Sequence, residues 1–276
     1  MSRGIYITAD NAALDNAIAL LNSIRIHDRD TPVMMIPYND RYGKAARTLN
    51  DLFGVELYDD KPFLNRFTEN IRKIFGDNFF KRPEQFRKQL CWFGPFDEFL
   101  YLDTDIIVFE KIVDFLDYLK TNDFVCCDYQ FKNKGKYIFR PEAAGAGILN
   151  EEQLKNTFNA GLWASKKRIV SEKDLYDVFT ECARHRDYFD FSAGVSDMPI
   201  FNYFVITRFK KVFNIARFLP GEPGQWAGAK HFIARGNMLY DPNAGRNLRY
   251  LHWAGIRIEP GCPRWDLWKH YRDLKL

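Results

Sequence analysis

Hydrophobic and polar residues follow two alternating periods along the first part of the chain. Short apolar runs, typical of buried strands, are separated by stretches in which apolar residues recur every three or four positions, as on one face of a helix. The runs cover residues 4–9, 32–37 and 55–58, and the helical stretches cover residues 14–24 and 39–53. This alternation predicts an α/β fold with a mostly parallel central sheet flanked by helices.

The rest of the chain continues this pattern with one long interruption. Residues 66–92 have a helical pattern that Pro83 breaks. Residues 128–156 show no clear period, and an insertion of this length in a compact domain is more often functional or mobile than structural. Regular elements are predicted on both sides of it: helices at 111–119, 172–186 and from a cap at Ser196, and strands at 158–164, 212–215 and 250–253.

One apolar run carries acid at its centre. Residues 99–102 and 106–109 are apolar, and Asp103, Thr104 and Asp105 stand between them. Burial of an ionised carboxylate is costly unless a cation compensates it, and two neighbouring carboxylates repel each other. In an extended backbone residues i and i+2 point to the same side, so the two acids converge on one divalent cation. The alternative is a tight turn with solvated acids, against which the apolar flanks argue.

Composition narrows the possible functions. The chain has 276 residues, of which 46% are hydrophobic and 28% charged, as in an ordinary globular protein. A net charge of +4 is too small to indicate a nucleic-acid partner, and the 16% of aromatic residues suits sugar stacking but equally fills cores. Five cysteines without a C-x-x-C pair, and no apolar window of about 18 residues, lead us to expect a cytoplasmic protein.

Five segments together carry a family resemblance. They are residues 5–10, 101–105, 158–161, 197–202 and 252–255. In this order they resemble the nucleotide-sugar-dependent glycosyltransferases of the GT-A fold, and within them the family-8 group that includes glycogenin and lipopolysaccharide galactosyltransferases. The resemblance implies one Rossmann-like catalytic domain over residues 1–262, followed by an aromatic and basic C-terminal helix over residues 263–276.

The resemblance also implies a set of site residues. Asp103, Asp105 and His252 would bind Mn²⁺ or Mg²⁺ that bridges the donor's diphosphate, although His252 seen alone could be a satisfied core histidine. Arg87 would contact donor phosphate or sugar, or else be a solvated helix residue. The other residues implied to bind the nucleotide sugar are Thr8, Ala9, Asp10, Thr104, Asn159, Ala160, Gly161, Gly255 and Arg257.

Two positions depart from the family pattern. Arg257 stands one position before the place of a family lysine, which it is expected to replace. Met198 stands where the family has a glutamine facing the anomeric carbon, and a thioether neither donates nor accepts usefully there. The neighbouring Asp197 is therefore expected to be the catalytic carboxylate on the reacting face of the donor sugar. Its alternative role is a charge that favours a helix N-terminus.

The expected activity is transfer of a hexose from a nucleotide diphosphate sugar, specifically a UDP-sugar, to an acceptor hydroxyl with retention. The acceptor would be a glycan, a lipid or a small molecule. A haloacid dehalogenase-type phosphatase and a nucleotide-sugar-binding protein without turnover stay open as alternatives. Residues 264–276 combine Trp265, Trp268 and Tyr271 with basic residues, which suits peripheral contact with the inner face of a membrane or packing on the core.

Overall fold

The computed structural model describes residues 1–145, 147–192 and 194–275. Ala146, Ala193 and Leu276 lie outside the described residues. Ala146 belongs to the predicted insertion over residues 128–156, and Leu276 belongs to the C-terminal segment over residues 263–276. The described strands are β1 (Arg3–Ala9), β2 (Val33–Pro37), β3 (Glu56–Leu57), β4 (Glu98–Leu102), β5 (Ile106–Val108), β6 (Phe124–Cys126), β7 (Leu162–Lys166), β8 (Val212–Asn214), β9 (Ile233–Arg235), β10 (Met238–Asp241), β11 (Arg246–Asn247) and β12 (Tyr250–His252).

Helices connect these strands. The α-helices are α1 (Leu14–His27), α2 (Gly43–Phe53), α3 (Lys61–Phe75), α4 (Pro141–Gly145), α5 (Glu151–Leu154), α6 (Glu172–Arg184), α7 (Met198–Arg208), α8 (Ile215–Phe218) and α9 (Trp265–Asp273). The 3₁₀ segments are Pro83–Phe93, Ile112–Lys120, Gln130–Asn133 and Arg186–Tyr188. Gly54 ends α2 in the left-handed conformation at φ 65°, as expected for a glycine at this position.

A seven-stranded sheet forms the centre, in the order β3-β2-β1-β4-β7-β6-β8. The first four of these strands are parallel, while β7 runs antiparallel to both β4 and β6. The predicted α/β fold with a mostly parallel central sheet is therefore confirmed. Parallel pairing of β1 with β4 brings the loops after both strands to one edge.

The two faces of the sheet support two separate cores. Side chains alternate along β1, so Ile5 and Ile7 pack with α1 on one face, and Tyr6 packs with α3 on the other. The second face is rich in aromatic side chains: Trp92 and Trp163, for example, have ring centroids 5.0 Å apart. Much of the aromatic content therefore fills this core.

Several predicted boundaries are wrong for local reasons. The second helix begins at Gly43, because Asn39 and Asp40 belong to the preceding loop, where Asn39 donates to Asp10. The last large helix has Asp197 at its N-cap in place of Ser196. A small antiparallel sheet of β9, β10 and β11 lies in a stretch for which the sequence pattern predicts a loop. Its strands have only two to four residues, which is too short for a visible alternation.

The C-terminal helix packs on the domain. Asn22 of α1 donates through Nδ2 to the carbonyl of Tyr271 at 2.8 Å, and Trp268 and Tyr271 are buried in a core with Trp253. Two of the three aromatic residues that suggested membrane contact are therefore buried in the core and are not available to a membrane. Membrane contact of this segment stays a prediction that those two residues do not support. Among the described residues, no helix is both long and apolar enough to cross a bilayer.

Candidate active site

The acid pair lies in a turn where the chain leaves the central sheet. β4 ends at Leu102, residues 103–105 turn, and β5 pairs antiparallel with β12 instead of continuing in the sheet. This register places His252 opposite Ile106, next to Asp105, whose carbonyl accepts from the Trp253 amide at 3.0 Å. The expected extended backbone is wrong, but the turn brings both carboxylates and the imidazole together.

Asp103, Asp105 and His252 form a compact cluster, which we call the triad. One ligand atom from each lies within 4.8 Å of the others, and Asp105 Oδ1 is 3.2 Å from His252 Nε2. The carboxylates are 29% and 30% exposed, so an ion has access to them. Two hard oxygen ligands and one imidazole fit a divalent cation such as Mn²⁺ or Mg²⁺.

Gly161 gives the triad its space. A Cβ atom at this position would lie 2.2 Å from His252 Cε1, a distance that real Cβ atoms essentially never show, and 3.0 Å from Asp103 Oδ2, which is tighter than most. The Gly161 carbonyl also accepts from the Asp103 amide at 2.7 Å. A side chain here would displace His252 and Asp103, so this arrangement of the triad requires a residue without a Cβ atom.

Lys88 supplies a cation that the sequence analysis missed. Its Nζ lies 3.2 Å from Asp197 Oδ2 and 3.8 Å from Asp103 Oδ1, and its side chain is only 10% exposed. Burial alone would lower the pKa of Lys88, but the two carboxylates outweigh it and raise the pKa, so the amine stays charged. The lysine therefore links Asp197 to the triad.

Tyr101 fixes the orientation of the first acid. Its hydroxyl donates to Asp103 Oδ1 at 2.6 Å and accepts from Thr8 Oγ1 at 2.7 Å. For Asp105, burial favours the neutral form, but His252 overrides this and lowers the pKa of the carboxyl. Both triad carboxylates thus have local partners that hold them in position.

A cleft of about 470 Å³ opens at this edge of the sheet. It brings together four of the expected donor-binding residues with the two triad acids, and Tyr38 and Arg82 were not anticipated. Asp10 Oδ1 accepts from the amides of Ala12 and Ala13, so this carboxylate also shapes the loop after β1. The expected residues that line the cleft are Thr8, Ala9, Asp10 and Thr104.

Arg87 and Arg257, which are expected to contact the donor, have other partners in the structure. Arg87 is buried and donates to the carbonyl of Pro37 at 3.1 Å and to Thr68 Oγ1 at 2.9 Å, so it ties β2 to α3. The place facing the triad belongs to its neighbour Lys88. Arg257 is 87% exposed and pairs with Glu259 at 3.2 Å. For both residues, contact with the donor stays a prediction.

The segment around Asn159 supports the triad from behind. Asn159 Oδ1 accepts from the Gly161 amide at 2.9 Å, Ala160 is buried, and the Asn159 amide donates to Asp128 Oδ2 at 3.0 Å. Gly255 follows β12 with φ 72°, a left-handed turn that favours glycine. These residues lie close to the triad and hold its backbone; donor contacts for them stay a prediction.

Comparisons with solved structures support the fold. No protein-family model and no curated protein sequence matches the chain. The bifunctional glycosyltransferase WbbM superposes with a TM-score of 0.62 at 17% identity, over 99% of this chain and 50% of WbbM. The galactosyltransferase LgtC, solved with donor and acceptor sugar analogs, gives 0.62 at 15% identity over 98% of this chain and 95% of LgtC.

A third structure agrees with these two. GlyE, a glycosyltransferase of Streptococcus pneumoniae, gives a TM-score of 0.54 at 14% identity, over 100% of this chain and 61% of GlyE. The chain spans about half the length of WbbM and nearly all of LgtC. A structural likeness at this sequence identity establishes the fold, and the activity has to be inferred from the residues of the site. The chain therefore has the GT-A glycosyltransferase fold, and the resemblance to the family-8 group is confirmed at the level of structure.

Proposed function

We propose that this protein is a metal-dependent glycosyltransferase that moves a hexose from a UDP-sugar to an acceptor hydroxyl with retention. The observation that carries the proposal is the triad of Asp103, Asp105 and His252 at the carboxyl edge of a sheet with the GT-A fold. Ligands of open α/β sheets bind at this edge, and the cleft beside the triad begins at the end of β1.

The triad would hold Mn²⁺ or Mg²⁺. When bound, such an ion neutralises the charge that develops on a departing diphosphate. Tyr101 keeps Asp103 aligned, and Gly161 leaves room for both the ion and the imidazole. Thr8, Ala9 and Asp10 line the part of the cleft in which the base and ribose of the donor would lie.

The reaction exchanges one C–O bond for another. The acceptor oxygen bonds to the anomeric carbon, and the bond from this carbon to the diphosphate oxygen breaks. The electron pair leaves with the diphosphate, which also takes up the acceptor proton. Asp197, buried and paired with Lys88, would stabilise the positive charge that grows on the sugar ring. Lys88 would orient Asp197 and lie near the sugar or the phosphate.

A thermal-shift screen of UDP-sugars, with and without Mn²⁺, tests the proposal. A UDP-sugar at a hundred times its dissociation constant should stabilise the protein by about 2.7 kcal/mol, and only when Mn²⁺ is present. Slow release of UDP from that sugar should accompany binding. The proposal is wrong if no UDP-sugar binds in the presence of Mn²⁺.

The same measurements separate the two alternatives. A protein that binds nucleotide sugars without turnover would show the thermal shift and release no UDP. Met198 beside Asp197 is the sequence feature that favours it. A phosphatase would cleave a generic phosphate ester such as p-nitrophenyl phosphate, and the GT-A likeness gives that class no support.

A further inference from the structure

A second cavity of about 440 Å³ is lined by Trp226, the residue that pairs with His252 of the triad. We call it the side groove and define it by Tyr129, Lys132, Trp226 and His231, which line it together with the segment from Gly221 to Gln225. Its walls come from the insertion after β6, from the segment before β9, and from the end of β10 with the turn that follows it. None of these segments contributes a residue to the triad itself.

Trp226 connects the side groove to the triad. It forms a parallel bridge with His252: the His252 amide donates to the Gln225 carbonyl at 2.7 Å, and the Ala227 amide donates to the His252 carbonyl at 2.9 Å. Residues paired in this way project their side chains from the same face. The Trp226 ring therefore stands on the face of the ribbon from which His252 enters the triad.

The Trp226 ring is both exposed and held in place. It is 51% exposed, although its Nε1 donates to the Ala254 carbonyl at 3.1 Å. Gly228 lies beneath the ring, since a Cβ there would come within 2.5 Å of it. An aromatic face that is already fixed in one orientation can take a ligand without a further loss of side-chain freedom. Pyranose rings, which have one apolar face, are suited to such a surface.

The charge of the side groove is positive where it is accessible. Its two acids are buried and compensated: Glu222 lies 3.0 Å from Arg249 Nε, and Asp241 accepts from the Gly224 amide at 2.8 Å. Lys132 is exposed, lies 4.2 Å above the Tyr129 ring, and pairs with no carboxylate among the described residues. Lys134, Lys136 and Arg140 follow in the same segment but do not line the groove.

From these observations we infer that the side groove is the acceptor subsite, and that it takes a glycan bearing a phosphate or carboxylate. The inference rests on the proposed function and names the substrate class. A sugar ring of the acceptor stacks on Trp226, which places its hydroxyl beside the triad. The anionic group of the acceptor pairs with Lys132. Tyr129 holds this lysine side chain against the groove through its ring.

A glycan array tests the inference. It carries glycans in matched neutral, phosphorylated and uronic-acid forms, and is probed with the labelled full chain in Mn²⁺, with and without UDP. We expect retention on the anionic forms. Trp226→Ala should lower retention on every glycan by about tenfold. Lys132→Gln should abolish the preference for anionic forms and leave binding of neutral forms unchanged.

Matched controls are available nearby. Phe218→Ala removes an aromatic ring that is 48% exposed outside the side groove, and Lys134→Gln removes an exposed lysine of the same loop. Both controls should behave as the unaltered chain. The inference is overturned if Trp226→Ala matches Phe218→Ala, if Lys132→Gln matches Lys134→Gln, or if no glycan is retained.

The outcome is separable from that of the proposed function. UDP binding in Mn²⁺, measured on the same variants, reports the triad alone and should not change in Trp226→Ala or Lys132→Gln. Intact UDP binding without glycan retention would remove the acceptor assignment only. A surface for lipid is a different outcome: retention of the chain on anionic vesicles through Trp226 and Lys132, with no glycan bound, would replace the glycan by a membrane.

Discussion

Two clusters of charged side chains in this molecule differ in how their carboxylates are compensated. Glu222 is 2% exposed, and Arg249 and Arg246 lie 3.0 Å and 3.6 Å from its carboxylate. Asp103 and Asp105 in the triad are about a third exposed and stand next to each other. The groups that face them are the imidazole of His252 and the amine of Lys88, which also pairs with Asp197. The first cluster is closed and complete, and the second is open and still attracts positive charge.

This difference separates structural from functional acids. A buried carboxylate that is already paired with arginines needs no ion, so its loss should lower stability. Neighbouring carboxylates that face a cleft are held in repulsion by the fold, so their loss should be felt in ligand binding. Substitutions in the two clusters should therefore have separate effects.

The largest effect on stability is expected from Glu222→Gln. The substitution keeps the shape but leaves Arg249 facing a neutral amide, and breaking a buried ion pair costs about 3 kcal/mol or more in free energy of unfolding. Urea denaturation measures this loss. UDP affinity in Mn²⁺, measured where the variant is folded, should stay within about twofold. Unchanged stability would show that the cluster is not structural.

The largest effect on binding is expected from Asp105→Asn. An amide lacks the charge that the ion requires, so UDP affinity in Mn²⁺ should fall about a hundredfold, and the free energy of unfolding should fall by at most about 1 kcal/mol. Calorimetric titration measures the affinity. Asp51→Asn, at an exposed position of α2, is the matched control. If both variants bind UDP equally, the triad is not a metal site.

Asp197→Asn tests the acid that Lys88 connects to the triad. A catalytic role predicts that turnover falls about a hundredfold, which corresponds to about 2.7 kcal/mol in the barrier, with donor affinity little changed. A role at the N-terminus of α7 predicts a loss of about 1 kcal/mol in stability with turnover intact. The Asp197 side chain makes no capping hydrogen bond, which favours catalysis.

Two further results would refine the assignment of Asp197. Met198→Gln restores the residue expected from the family and should leave turnover the same or raise it. An inverted product anomer, observed by NMR, would contradict retention even if Asp197→Asn is inactive. Full activity of Asp197→Asn would remove the catalytic role altogether.

The smallest effect concerns pH. Burial raises the pKa of Asp128, behind the triad, to about 7, whereas an unfolded aspartate titrates near 4. Between these values the folded chain binds more protons than the unfolded chain, so this residue makes stability fall as pH rises, by about 1.4 kcal/mol per pH unit. Urea denaturation at pH 5 and pH 6 should show this slope in the unaltered chain and a smaller one in Asp128→Asn. Parallel slopes would contradict the assignment.

The sequence by itself determined the parts of this protein that depend on local pattern. The alternation of strand and helix periods required the α/β architecture, because each period exposes one apolar face that must be buried. Acid between two apolar runs likewise located Asp103 and Asp105 as candidate metal ligands. Both features depend on neighbours within a few positions, which the sequence shows directly.

Only the tertiary structure decided which side chains meet. Arg87 and Lys88 are adjacent in a 3₁₀ segment, where neighbours point roughly 120° apart, and packing turned the lysine to the triad and the arginine to β2. The pairing of β5 with β12 brought His252 to Asp105 across 147 positions, and the bridge to Trp226 placed an exposed ring beside them. Such contacts follow from strand register and core packing, which depend on the whole chain and leave no mark in the local pattern.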